Sequence, residues 1–296
     1  MDVTRLKNTK ERVEGGGVCI YCGWDGGQDG LRDEHIVPYS LGGTVQLEAA
    51  SCSRCERITS YIDGYLANSV FGHFRVHTAV QSRSGHPSTL SATVELGSGV
   101  RVVDLATKDH PYFLNMPVWR PPGLLLGAQM SDGFLGADVH KYWYLLPEFR
   151  RTLGMSVGEI GRVIDMSKPP NYPAFSRGLA KIAYCDTVRK FGLDGFRPLA
   201  IPDIILGKYQ NIAHFVGSEA RRQPLPPYKP GNLHSVSGGT VTYKRLKLLV
   251  AEIRLFGDSG TAECGMPFYT VLVGAEGRRK VISKGPPPAL PRSILL

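Results

Sequence analysis

Two Cys-x-x-Cys pairs, Cys19/Cys22 and Cys52/Cys55, constrain this chain more than any other feature. Together they supply four thiolates, enough to close a tetrahedral zinc site, and such a closed site is structural because no coordination position is left for substrate. Free buried thiols are the plainer reading of the same residues; two knuckles in one short segment favour zinc. Between the pairs lie Asp33-Glu34-His35-Ile36-Val37-Pro38 and Gly42-Gly43. One metal binding all four sulfurs would fold this segment back on itself and bring Glu34 and His35 close to the knuckles.

The 296-residue chain as a whole has ample material for a buried core, with 42% hydrophobic and 21% charged residues. A formal net charge of +9 favours a polyanionic partner, although a basic surface also occurs in proteins that bind no nucleic acid. The N-terminus, Met1-Asp2-Val3-Thr4-Arg5, carries no apolar signal segment. Paired Cys-x-x-Cys units in such a chain point to metal rather than disulfide, and to a cytoplasmic location. No apolar run approaches the roughly 18 residues needed to span a bilayer, so no membrane role is expected. Cys185 and Cys264 read as small buried apolar groups without a role.

Residues 1–14 are polar and suggest no regular element, and Gly15-Gly16-Gly17 reads as a flexible lead into the first knuckle; the Lys-Ser/Thr of a phosphate-binding loop does not follow it. Leu31 to Val37 predicts a short strand carrying Glu34 and His35, ended by Pro38. Gly42-Gly43 supplies a turn, a second strand spans Thr44 to Glu48, and a helix starts at Cys52 with Ile58, Ile62, Leu66 and Val70 on one face. These elements form a first unit, residues 1–80, too small to bury a sufficient core without a staple such as zinc.

Residues 80–88 are polar, contain Gly85 and Pro87, and read as a boundary. Beyond them Leu90 to Leu105 form a hairpin around Gly97-Ser98-Gly99, and Tyr112 to Trp119 a further strand. Helices are predicted from Pro173 to Lys190 and from Ile201 to Phe215, then strands at Val236–Tyr243, Leu246–Phe256 and Met266–Val273, and an irregular Pro-rich tail after Lys284. Gly257-Asp258-Ser259-Gly260 is similar to the motif around the nucleophile of trypsin-like proteases, but Thr261 stands where that motif needs Gly, and a hairpin turn fits better. The fold class is therefore α+β: a small zinc-stapled ββα module, then a larger mixed α+β domain at residues 89–296.

The order Cys-x-x-Cys, Glu-His-Ile-Val-Pro, Gly-Gly, Cys-x-x-Cys and helix resembles the HNH endonucleases of the four-cysteine, ββα-metal type, over residues 17–75. The resemblance implies metal-assisted hydrolysis of phosphodiester bonds in nucleic acid, with DNA the expected substrate. It puts His35 in the place of the general base, for which an imidazole with an ordinary pKa near 6.5 is suited. Glu34 falls where the family carries a ligand for a divalent cation, Mg²⁺ or Mn²⁺. Successive strand residues point to opposite sides, so Glu34 and His35 can serve one site only if the strand bends or bulges there.

Two positions depart from the pattern. The bracing Asn is replaced near Leu47, with Gln46 the neighbouring amide, and the residue after the last cysteine is Glu56 rather than His or Asn. Glu56 could bind the cation or simply be an anion suited to a helix N-terminus. The catalytic set is thus His35, Glu34 and Glu56, beside a structural zinc on Cys19, Cys22, Cys52 and Cys55. The rival reading is a zinc-stabilised nucleic-acid-binding module without hydrolysis. His73 and His77 share a helical face without needing a metal, and Lys7, Lys10 and Arg57 fit either phosphate contacts or solvated surface.

Overall fold

The computed structural model describes residues 2–5, 10–77, 80, 85–96, 99–129, 133–144, 162–164, 169–219, 234–256 and 266–278. The sequence expectations for Gly257-Asp258-Ser259-Gly260, Cys264, Lys7 and the tail lie outside these residues.

Strand β1 (Asp2–Arg5) pairs antiparallel with residues 235–238, far along the chain. Strand β2 (Glu11–Glu14) runs parallel to the last strand of the cysteine segment, Glu11 opposite Val45 and Glu14 opposite Glu48. Both occur where the sequence suggested no regular structure, because their partners are distant and their own apolar pattern is short. The glycine triplet after β2 is not a loose lead: the Gly15 amide donates to the Glu48 carbonyl at 2.9 Å.

The module then follows the expected order. Strand β3 (Leu31–His35) pairs antiparallel with β4 (Val45–Cys52), which extends past the expected Glu48 to the second knuckle. The register shifts between Arg32 and Glu34, where Glu48, Ala49 and Ala50 of β4 stand opposite Asp33 alone, a bulge in β4 with Ala49 at φ 47°; a bulge locally bends and twists the paired strands. Helix α1 (Ser53–Tyr65) starts directly after Cys52 and buries Cys55, Ile58, Thr59 and Ile62. The predicted continuation through Val70 is interrupted: residues Leu66–Val70 form a π-helical turn, and α2 (Gly72–His77) follows. The wider turn sets fully buried Phe71 against Phe175 and Phe256, with ring centroids 6.3 and 4.9 Å away.

In the larger region β5 (Thr89–Leu96) and β6 (Gly99–Ala106) form the expected hairpin. Strand β7 (Tyr112–Val118) precedes the short α3 (Gly123–Leu126) and pairs with β8 (Asp138–Tyr144); β9 (Arg162–Ile164) adds to β5. The long helix α4 (Tyr172–Phe191) matches the predicted span closely. Its Asn171 cap accepts a hydrogen bond from the Ala174 amide at 2.9 Å, Pro173 fits the first turn, and Gly192 at φ 71° ends it.

After β10 (Phe196–Pro198), α5 (Ile201–Ile205) is shorter than the predicted 201–215 helix, because Gly207 at φ 72° stops it. Strands β11 (Val216–Glu219), β12 (His234–Tyr243), β13 (Leu246–Leu255) and β14 (Phe268–Glu276) complete a six-stranded sheet of order β1-β12-β13-β14-β10, with β11 also on β14.

Helix α4 packs on this sheet and also against α1. It is buried on nearly every side between the two layers, which accounts for an apolar run that is not confined to one stripe. One continuous core runs from Cys19 through Leu66 and Phe175 to Val273. Gly178 permits the close approach of α4 to the π-helical turn after α1, since a Cβ there would lie 2.6 Å from Leu66 Cδ1. A small N-terminal module with a cysteine cluster is thus followed by a larger α+β region.

Candidate active site

The two knuckles are brought together by the β3–β4 pairing and the start of α1. The first is a tight turn in which the Cys19 amide donates to the Trp24 carbonyl and the Gly23 amide to the Cys19 carbonyl, at 2.7 and 2.8 Å. The Ile20 amide ties it to the Ala50 carbonyl of β4 at 2.8 Å. The four Sγ atoms lie within 4.8 Å of one another, with Cys19, Cys52 and Cys55 buried. The thiols share their protons: hydrogen bonding with Cys19 first holds Cys22 down at about 7 and pulls Cys52 lower, while the same contacts push Cys19 and Cys55 up. A soft, compact, all-sulfur set of this kind fits a tetrahedral Zn²⁺, which would displace those protons.

Beside the cluster a cleft of about 450 Å³ is lined by Glu34, His35, Gln46, Glu56, Asp63 and Arg75, among others. They come from β3, β4, α1 and α2. Glu34 and the adjacent His35 both line this cleft, next to the bulge that β4 makes opposite Asp33. The bulge is fastened by Asp33, whose Oδ1 accepts from the Ala49 amide at 3.1 Å and whose other oxygen meets Arg12. The loop after His35 closes through Gly42 at φ 88° and Gly43, where a Cβ would fall 1.8 Å from the Val37 carbonyl oxygen. Only glycine is compatible with that spacing.

The Gln46 amide lies 2.9 Å from His35 Nε2, and the Tyr39 ring is tilted against the imidazole at 5.6 Å. Glu34 is almost fully buried. Its Oε2 accepts from the Thr59 hydroxyl at 3.0 Å, and its Oε1 pairs with Lys181 Nζ at 2.9 Å. Lys181 also donates to both oxygens of Asp63, at 2.9 and 2.7 Å. Burial pushes the Asp63 carboxyl up to about 6, so it is ionised at neutral pH. Burial opposes the charge on Lys181, but Asp63 and Glu34 outweigh it and its pKa is raised.

Glu56, partly exposed in the first turn of α1, lines the same cleft. Among the described residues, only the cysteines bring three or more ligand atoms of His, Cys, Asp or Glu within 4.8 Å. Arg57 and Lys10 are exposed, and His73 and His77 lie in α2. Cys185 is buried with Tyr21 Oη 3.2 Å from its sulfur.

Lys181, Asp63 and Thr59 carry no motif and were not singled out from sequence. Thr59 and Asp63 could have been reached from helical spacing, since they follow Glu56 and Thr59 by one turn each; Lys181 could not, because its helix is far along the chain.

Comparison with known families bears on the segment that builds this cleft. Residues 19–71 match the family model of HNH endonucleases. The HNH module therefore spans both knuckles, β3, β4 and α1, and ends at Phe71. Arg75 and Lys181 lie outside the match. No curated protein and no solved structure matches the chain. An HNH family domain of this kind points to a nuclease acting on nucleic acid, and no helix among the described residues is long and apolar enough to cross a membrane.

Proposed function

We propose that the cleft hydrolyses phosphodiester bonds in DNA with the help of a divalent cation. The observation that carries this reading is the convergence of His35 and Glu34 from β3 and Glu56 from α1 on one cleft of a segment that matches the HNH endonucleases. Each oxygen of Glu34 accepts one hydrogen bond and retains a further acceptor site for a cation. Glu34 and Glu56 line the same cleft, and Mg²⁺ or Mn²⁺ are often held by one or two carboxylates with water completing the shell. When bound, such an ion supplies positive charge to the scissile phosphate and the leaving oxygen.

The chain's own groups have separable roles. His35 takes the proton from the attacking water. Gln46 Nε2 lies 2.9 Å from His35 Nε2, and this contact orients the imidazole in the cleft. Glu34 and Glu56 would hold the cation, and Arg75 would offer a guanidinium to the phosphate. The cysteine quartet, held reduced in a cytoplasmic setting, keeps β3 and α1 in register. Residues 1–80 form the cutting unit and residues 89–296 the part that holds substrate.

The test is incubation of purified protein with supercoiled plasmid and with an RNA of matched sequence, in Mg²⁺ or Mn²⁺ and in EDTA. Metal-dependent nicking of the plasmid is expected, faster than cleavage of the RNA. The ion pair between Lys181 and Glu34 is the one observation favouring the rival, a module that binds without cutting; salt-sensitive DNA binding with no cleavage in any metal would establish it.

A further inference from the structure

The sequence match ends at Phe71, yet the carboxylate at the heart of the cleft is held by a side chain from α4. Lys181 is fully buried, and its ammonium lies 2.9 Å from Glu34 Oε1 and 2.7 Å from Asp63 Oδ2. Thr59 occupies the other oxygen of Glu34. A buried ammonium is strongly unfavourable unless paired, and here its partners are two carboxylates of the cleft. The cluster of one cation and two anions carries a net charge of −1 toward that cleft.

We infer that Lys181 is a positioning residue for the proposed cation site: a resident ammonium, contributed by the larger region, that aims Glu34 and holds the cluster at a single negative charge. This rests on the nuclease reading. Two consequences separate it from a merely structural lysine. Without the ammonium the cluster holds two uncompensated carboxylates, so a divalent cation binds more tightly. Glu34 at the same time loses the donor to Oε1, so turnover falls. Loosened structure alone would weaken cation binding and turnover together.

The experiment measures Mn²⁺ affinity by electron paramagnetic resonance and plasmid cleavage at saturating Mn²⁺, at pH 8, for the full-length wild type, Lys181→Met and Lys181→Met/Asp63→Asn. The double variant restores the charge balance and so keeps a folded protein available should the single one fail to fold. Lys181→Met is expected to bind Mn²⁺ at least about fivefold more tightly while kcat falls by about tenfold or more, given the strength of unscreened charges in a buried site. The double variant is expected to return to wild-type affinity within about twofold, with kcat still depressed because Oε1 lacks its donor.

Unchanged or weaker Mn²⁺ binding in a folded Lys181→Met, or a double variant with wild-type kcat, overturns the inference. Wild type that binds Mn²⁺ without cutting overturns the nuclease reading alone, and the affinities then decide the role of Lys181. Wild type that neither binds nor cuts overturns both.

Discussion

His35 meets the side-chain amide of Gln46 across the β3–β4 pair, beside Leu47, where the resemblance expected a bracing Asn. Gln46→Ala should leave zinc and fold intact and lower cleavage by about tenfold, a fraction of the 10²–10⁴ that a general base supplies; the acid limb of the pH–rate profile should move with it. His234 is the residue to watch for stability. It is buried in the large sheet with Nε2 2.6 Å from the Leu41 carbonyl, and its Nδ1 accepts from the Phe256 amide at 3.2 Å. Burial, partly offset by the Leu41 carbonyl, lowers its pKa from 6.5 to about 4.

A depressed histidine favours the folded state fully above the unfolded pKa and loses that contribution as pH falls toward 4. The difference amounts to about 3 kcal/mol. Thermal melts should therefore show Tm falling between pH 6.5 and 4, and His234→Gln should flatten that slope. At this scale the motif pointed to His35, Glu34 and Glu56, which line one cleft, and to the cysteines, which cluster. Lys181, Asp63 and His234 were not, since their meaning lies wholly in partners distant in the chain.

Among the elements, β3, β4 and α1 were readable because apolar spacing and knuckle position agree there. Helix α4 was readable because cap, proline and terminal glycine bracket it. Strands β1 and β2 were hidden because their pairing is entirely long-range, and the break after Tyr65 was hidden because the four-residue spacing of Ile58, Ile62, Leu66 and Val70 runs straight through it. The loop between β3 and β4 depends on Gly43, whose α-hydrogen faces the Val37 carbonyl where a methyl cannot fit. Gly43→Ala should shift the loop after His35 and destabilise the protein by about 2 kcal/mol or more, read as a lower denaturant midpoint. Gly178→Ala, whose Cβ meets the buried side chain of Leu66 rather than backbone, should be milder, on the order of 1 kcal/mol by the same measurement.

Across the whole molecule, the cysteine quartet and α4 both brace the module that builds the cleft. The Tyr184 hydroxyl donates to the Ile20 carbonyl of the first knuckle at 2.8 Å, and Lys181 reaches Glu34 one turn earlier in the same helix. Purified protein should carry one zinc per chain, and Cys55→Ser should lose it and lower Tm by about 10 °C or more, since a structural zinc contributes directly to folding. The general architecture, a cysteine-bound module before a larger α+β region, was legible from motif and composition. That both share one core was not, because nothing in either stretch alone reports the other.

The most direct measurement is nicking of supercoiled plasmid in Mn²⁺ by His35→Ala beside wild type, at matched zinc content and matched thermal stability. The account predicts wild-type nicking that EDTA abolishes and a variant slower by about 10²-fold or more. A folded, zinc-loaded His35→Ala that cuts at the wild-type rate would contradict it.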